Sequence, residues 1–359
     1  MTDAATLEAI RRVEETPLNQ LVNVSVEDVQ TQMDALLGPE NDSASFYHRW
    51  ETQQWAVSDL DFEQDKRDWA GIPPAVQSTL KTTMTLFFVG EQIVTDTLAP
   101  ILHAAPREDE RIFLATQVAD EARHAVFFDR YFEAVLGHEG GIHAAMVNFG
   151  PAARKGYQQI FYQALPEAID RCRLDPKDPV AFVEAVVTYH LIIEGYLALG
   201  GQRNTLRLLR RVSVLPGFVS GFTAVARDES RHIGFGVLAL RRRVLENPEM
   251  GRVIARKVQE LLPAAVAVVV GPDEKLPFRD PGEVPDTFRL NPLEAREFAV
   301  DSLTKRLRAA ELSESAVEDV ARRMYELYEQ YWTEYEQNHG VQHPVRWWKE
   351  QTQTTSIQA

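Results

Sequence analysis

Hydrophobic residues recur at steps of three and four through the middle of the chain, and Gly/Pro clusters interrupt the runs. This pattern predicts long helices. One runs from about Pro74 to Leu102 and is perturbed at Pro100. A second runs from about Glu108 to Leu136 and stops before GHEGG, and a third covers roughly 152–174. A fourth runs from about Pro179 to Leu199 and ends at Gly200-Gly201; a fifth covers roughly 218–245, after the break at Pro216-Gly217. Further helical periodicity lies near 250–270, 292–311 and 315–337. The stretch GPDEKLPFRDPGEVPD (271–286) reads as a loop from its Pro, Gly and Asp content. No extended strand alternation appears and no low-complexity linker divides the chain, so the expected fold is all-α. The expected layout is an N-terminal helical extension (1–45), a core (46–275), and a C-terminal helical extension with a tail (276–359).

Two of these helices carry the same word: DEARH at 120–124 and DESRH at 228–232. Residues three apart on a helix share a face, so Glu121 points with His124 and Glu229 with His232. Glu-x-x-His alone is a cheap pattern. With 9 histidines in the chain, about one match is expected by chance. A third copy, Glu336 with His339, stands in a polar stretch just before Gly340 and is assigned to a helix end. The other two copies add an Asp before the Glu and an Arg before the His. Each is also preceded, one antiparallel helix earlier, by a lone glutamate in an apolar run: Glu91 in LFFVGEQIV and Glu194 in HLIIEGYLAL. A carboxylate in such a run tends to be buried, and a buried unpaired charge costs several kcal/mol. Cations shared by four carboxylates would neutralise them. Four Glu and two His inside a four-helix bundle is the known construction of a dinuclear carboxylate site. The metal ligands expected are therefore Glu91, Glu121, His124, Glu194, Glu229 and His232. An oxygen-rich set with two imidazoles suits iron or manganese better than copper or a closed thiolate zinc site. Asp120 and Asp228 are candidates to accept a proton from a ligand imidazole.

Composition narrows the partners. The chain is 45% hydrophobic, which permits a sizeable core and favours one large domain with extensions. A net charge of −15 argues against nucleic acid. Two arginine clusters, Arg203/Arg207/Arg210/Arg211 and Arg241/Arg242/Arg243, read as solvated faces. The lone cysteine, Cys172, forms no internal disulfide and fits a reducing compartment. Its flanking arginines could lower its pKa, but no motif surrounds it and it reads as a bystander. The N-terminal stretch has no apolar signal-like core, and LLPAAVAVVVG (261–271) is too short to span a bilayer. The expectation is a soluble, cytoplasmic protein with no membrane span.

Several stretches carry a family resemblance: DLDFEQDKRDW, FFVGEQIVTDTLAP, QIFYQALPEAID, VTYHLIIEGYLALGG, and VLPGF before DESRH. From about Trp55 to Arg243, and more loosely to about Ala310, the chain resembles the small subunit of ribonucleotide reductase. More closely it resembles that superfamily's ligand-binding oxidases, which carry a mixed Mn/Fe centre. The resemblance implies a ferritin-like helical bundle and a homodimer. It implies an Mn/Fe (or Fe/Fe) cofactor, with O2 used in the two-electron oxidation of a hydrophobic, fatty-acid-like ligand. Reductase subunits usually hold a radical tyrosine four residues after the first ligand histidine; that position is Phe128, as it also is in one reductase subclass. The first ligand is Glu91, as in that subclass and the oxidases, rather than Asp. The last tyrosine is Tyr335 and the tail reads WWKEQTQTTSIQA, which weighs against docking on a reductase large subunit. The oxidases also form an ether between a valine three residues after the first Glu and a tyrosine five residues before the third, and these offsets fall on Val94 and Tyr189. The chain departs from the pattern at His190, where the resemblance leads one to expect Asn, and in a longer C-terminal region with Trp347-Trp348.

Two rival readings stand beside the oxidase. A reductase small subunit of the type without a tyrosyl radical would stimulate nucleotide reduction by a large subunit. A non-catalytic metal or lipid carrier with the same fold would consume no O2.

Overall fold

A computed structural model describes residues 4–137, 155–272 and 286–357, apart from the side chains of residues 96 and 353–357. All regular structure among them is helical. The helices are α1 (Ala4–Glu15), α2 (Val26–Leu36), α3 (Ser43–Thr52), α4 (Glu63–Gly71), α5 (Pro74–Ala104) and α6 (Glu108–Tyr131, continued by Phe132–Leu136). After them come α7 (155–174), α8 (Pro179–Val212), α9 (Pro216–Glu246), α10 (Glu249–Val269), α11 (Pro292–Ala309), α12 (Glu314–His339) and α13 (Pro344–Ile357).

Local chemistry sets the boundaries. Asp178 and Asn291 accept hydrogen bonds from the first-turn amides of α8 and α11, each ahead of a proline at the first helical position. Gly137 takes φ +65° and ends α6 just before the HEGG stretch, which lies outside the described residues. So does most of the expected loop at 271–286. The start of α9 is capped from outside: the Asp65 carboxylate accepts from the amides of Gly217 (2.8 Å) and Phe218 (2.7 Å), and Asp68 accepts from Leu215 (2.9 Å). Burial nonetheless pushes the Asp65 carboxyl up to about 6. Pro100 lacks an amide proton and crowds the carbonyl four residues earlier, and α5 bends by 44° between its Pro74–Thr95 and Thr97–Ala104 parts.

Helices α5, α6, α9 and α8 form a closed ring, each packing on the next and α8 back on α5. α10 lies against the outer side of α8, while α2 and the short 3-10 turn Leu18–Asn23 cover α9. α11 and α12 pair with each other and pack on α8 and α10 respectively, and α13 lies on α11.

Two expectations need correction. Helix α8 does not end at Gly200-Gly201 but continues to Val212. Those glycines serve close packing: a side chain at Gly201 would meet the Phe87 ring at 2.6 Å, and one at Gly200 would press on Val269 at 3.2 Å. The Arg241–Arg243 cluster is not a solvated face. Arg241 and Arg243 are buried, Arg241 donating to the carbonyls of Ala309 and Leu37, while Arg242 and Arg243 meet Glu110. Cys172 is buried, and that burial, opposed only weakly by Arg171, pushes its thiol up to about 11. The stretch 261–271 lies mostly within α10. Among the described residues, α8 is the one unbent helix long and apolar enough to cross a membrane, and 94% of its most apolar window is buried inside the bundle.

Candidate metal centre

The ring brings the six sequence-predicted ligands into one buried cluster. Glu91 comes from α5, Glu121 and His124 from α6, Glu194 from α8, and Glu229 and His232 from α9. None is more than 6% exposed. The cluster resolves into two groups, each able to hold one ion: Glu91, Glu121, His124 and Glu229, and then Glu121, Glu194, Glu229 and His232, with the ligand atoms of each group within 4.8 Å of one another. Glu121 and Glu229 belong to both, as bridging carboxylates would. The Glu336/His339 pair stays at the end of α12 and joins neither.

The histidines show how a cation would fit. His124 Nδ1 faces Glu121 (3.4 Å), Glu91 and Glu229 (3.5 Å each); His232 Nδ1 faces Glu121 (3.1 Å), Glu194 and Glu229 (3.5 Å each). Both Nδ1 atoms, and Glu194 Oε2 and Glu229 Oε2, are buried without a hydrogen-bond partner. Buried polar atoms of this kind are rare unless something else satisfies them, and all four belong to residues of the two ligand groups. Burial and neighbouring carboxylates push Glu194 and Glu229 above the ordinary carboxylate range. Burial does the same to Glu91, against the pull of His124. Glu121 goes the other way: despite its burial, the His124 and His232 rings that face it hold it well below that range.

The Asp and Arg of the repeated word now acquire a reason. His124 Nε2 lies 3.3 Å from Asp228, and His232 Nε2 lies 3.1 Å from Asp120. Each aspartate thus orients the histidine of the other word, leaving Nδ1 free for metal. The arginines lock this crossing. Fully buried Arg231 donates to Asp120 (3.0 Å) and Asp228 (2.7 Å), and Arg123 reaches the same two carboxylates. Two indoles finish the shell: Trp55 Nε1 donates to Asp228 (2.8 Å) and Trp50 Nε1 to Asp120 (3.0 Å).

Tyr189 and Glu194 share an unusual backbone. Val187–Ala198 is π-helical. Residues five apart diverge by roughly 140° on an α-helix, whereas the i→i+5 bonding of a π-helix brings them near one face. Tyr189 and Glu194 consequently line one cavity together, along with Val94 of α5. The Tyr189 hydroxyl donates to Glu121 Oε1 at 2.9 Å, and burial raises its pKa so that the proton stays on. Its lining combines Glu91, Glu121, Glu194 and Glu229 with apolar groups such as Phe161, Ile193 and Val268. Of four apolar residues near the ligands in sequence, Phe87 lines it, while Phe127, Leu191 and Phe235 are core. Phe128, which carries no hydroxyl, sits among Phe87, Phe88, Phe127, Phe218 and Phe222.

Gln117 escaped the sequence reading. It lies one helical turn before Glu121, on the same buried face, and its Nε2 donates to Glu194 Oε1 at 2.7 Å. Its Oε1 lies 3.1 Å from His190 Nε2, which must donate there because an amide oxygen only accepts. Burial and the nearby His232 push His190 down to about 3, so it is neutral. A polar residue at the i−4 position of a ligand helix was the available signal.

Known proteins match this arrangement. An R2-like ligand-binding oxidase variant with an anaerobically reconstituted Mn/Fe cofactor superposes with a TM-score of 0.64 at 26% identity, covering 76% of this chain and 94% of that one. Another variant, with a non-activated Mn/Mn cofactor after aerobic reconstitution with Mn and Fe, matches at 26% identity and TM-score 0.64, with 76% and 94% coverage. A third, with Mn/Fe reconstituted anaerobically, covers 81% of this chain and 93% of its own at 25% identity and TM-score 0.58. Residues 39–269, which include all four ligand helices, match the family described as ribonucleotide reductase, small chain, and the protein belongs to that family.

Proposed function

We propose that the protein is a ligand-binding oxidase that holds Mn and Fe, or two Fe, and uses O2 for the two-electron oxidation of a hydrophobic, fatty-acid-like ligand. The observation that carries this reading is the largely apolar cavity whose lining includes Glu91, Glu121, Glu194 and Glu229. Its apolar lining could take a hydrocarbon beside the ligand groups, and the likeness to R2-like ligand-binding oxidases supports the same chemistry. When bound, the metals supply the redox chemistry that activates O2. The chain's own residues do the rest. Glu121 and Glu229 would bridge, Glu91 and Glu194 would complete one position each, and Asp120 and Asp228 keep the imidazole protons on Nε2. Phe128 leaves no phenol in the radical position, as in one reductase subclass, so it is the Val94/Tyr189 pair on the cavity wall that favours the oxidase over a reductase partner.

Val94 and Tyr189 carry the proposed ether. Both line the cavity, and the phenol is already held on a ligand carboxylate. Bond formation removes one hydrogen from Val94 Cβ and one from the Tyr189 oxygen, with O2 as the electron acceptor. Trypsin should release residues 82–107 and 178–203 from unreacted protein. After aerobic loading with Mn and Fe, mass spectrometry should find them joined and lighter by two hydrogens, and Tyr189→Phe should abolish the joined species. Free peptides alone would sink the ether while leaving the oxidase reading to O2-consumption measurements. No O2 uptake by the Fe(II)/Mn(II) protein would favour the carrier.

A further inference from the structure

The Arg203/Arg207/Arg210/Arg211 cluster has no part in the metal centre. On the α-helical end of α8 these positions recur at steps of three and four, so they form one stripe. The stripe lines a groove of about 420 Å³, within the usual range of small-molecule sites. The other walls come from 25–27, 290–295 and Trp348, all outside the family match at 39–269. The groove is therefore built where this chain's extensions fold back on the common bundle.

Its charge is unbalanced. Four arginines meet two carboxylates, Glu27 and Glu294, an excess of two positive charges in a chain whose net charge is −15. Arg207 lies 2.9 Å from Glu294 and 3.8 Å from Glu27, and Arg211 donates to the Thr287 carbonyl. Arg210 donates to the Leu21 carbonyl and to Thr223, yet its Nη1 is buried without a partner. Arg203 has no carboxylate partner among the described residues; its guanidinium rests on the Phe298 ring at 4.2 Å. That stacking fixes the planar fork and leaves its N–H edge for an acceptor. The N-terminal ends of α2 and α11 also open here and add partial positive charge. Ser25 and Asn291 already cap first-turn amides of those helices, so direct contacts to an anion fall to the arginines. Two uncompensated charges suit a phosphate monoester, which carries about −1.5 to −2 at neutral pH, better than a carboxylate. Trp348 adds a flat apolar surface in the same groove. Among the described residues no ring stacks on its indole, Trp347 lying 6.5 Å away and tilted by 50°.

We propose that this groove is a nucleoside monophosphate site, with the phosphate on Arg203 and Arg207 and the base against Trp348. Arg203 belongs to α8 and Trp348 to α13, so the ligand ties the last helix to the bundle. The site is separate from the metal centre and does not depend on the oxidase reading.

The test titrates the metal-loaded full chain by calorimetry with adenosine monophosphate (AMP), adenosine and inorganic phosphate. Wild type should bind AMP about ten-fold more tightly than phosphate, as stacking of one base allows. It should prefer AMP to adenosine by about ten-fold or more, because only AMP makes charge-assisted contacts to the arginines. Arg203→Gln/Arg207→Gln should erase the preference over adenosine. Trp348→Ala should erase the preference over phosphate while leaving phosphate affinity unchanged. Both variants should take up metal as wild type does, which shows that they fold. AMP should also slow amide hydrogen exchange in α13 of wild type but not of the Gln variant. Phosphate binding as tightly as AMP would mean an anion site with no base recognition and would overturn the assignment. So would AMP binding that survives the Gln variant, unchanged exchange in α13 on AMP binding, or no AMP binding at all. Binding to phosphatidylglycerol vesicles in place of AMP would make the groove a membrane-docking face, which equally overturns it.

Discussion

The first and second halves of the metal centre repeat one plan on different backbones. In the first, Glu91 stands on the α-helical part of α5, next to Gly90 on the cavity wall, and burial dominates its protonation. In the second, Glu194 stands on a π-helical stretch and is tied through Gln117 to the neutral ring of His190. The outer partners differ as well: Trp55, behind the first histidine, is buried with the Arg123 guanidinium 5.1 Å from its ring, whereas Trp50, behind the second, is half-exposed. Near-symmetric ligands with unlike supports give two chemically distinct positions. That is what a mixed pair of ions requires, since ligand type alone discriminates poorly between neighbouring metals.

The sharpest break of this comparison comes from the shared carboxylates. Glu121→Ala removes a ligand from both groups and should empty both positions, whereas Glu91→Ala or Glu194→Ala should each empty chiefly one; metal analysis after loading under defined Mn and Fe checks this. Smaller, but more specific, is the crossing. Asp120→Asn should weaken the ion at His232 by about ten- to a hundred-fold while sparing the one at His124, and Asp228→Asn should do the reverse. Anomalous-diffraction occupancies at the two positions decide it, and a loss on the histidine of the same word would refute the crossed pairing. The smallest effect concerns His190. Its pKa falls from 6.5 to about 3 on folding, so the unfolded chain takes up a proton that the folded chain refuses. The native state therefore loses stability as pH falls below 6.5, by between about 1 and 2 kcal/mol from pH 6.5 to 5. Denaturant titrations of metal-free wild type and His190→Asn should differ by this slope, and parallel curves would show that the ring is protonated when folded.

Much of this centre could be read from spacing. Glu121/His124 and Glu229/His232 lie three apart, a distance a helix turns into one face, and Glu91 and Glu194 stand out because charge is costly in an apolar run. The crossed aspartates could not be read, because they depend on the register between α6 and α9 and not on either helix alone. Nor could the π-helical stretch, whose residues keep an ordinary apolar composition while their faces rotate. Gly200-Gly201 misled for a related reason: in a lone helix a glycine pair is a weak point, but here the missing side chains admit Phe87 and Val269. The Arg203 cluster does lie at the surface, but the Phe298 ring under Arg203 and the groove it shares with Trp348 could not be read, because both lie about a hundred residues or more downstream.

The crossed aspartates also bear on how such a protein could have arisen or be taken apart. Either repeat expressed by itself would carry an imidazole whose steering carboxylate belongs to the missing sequence, together with a carboxylate that has nothing to steer. A hairpin of two helices would be an incomplete fragment, not a miniature of the whole, unless it met a second copy. A self-paired ancestor could satisfy that condition, while a chain cut between the repeats should recover its ions only when both pieces are mixed.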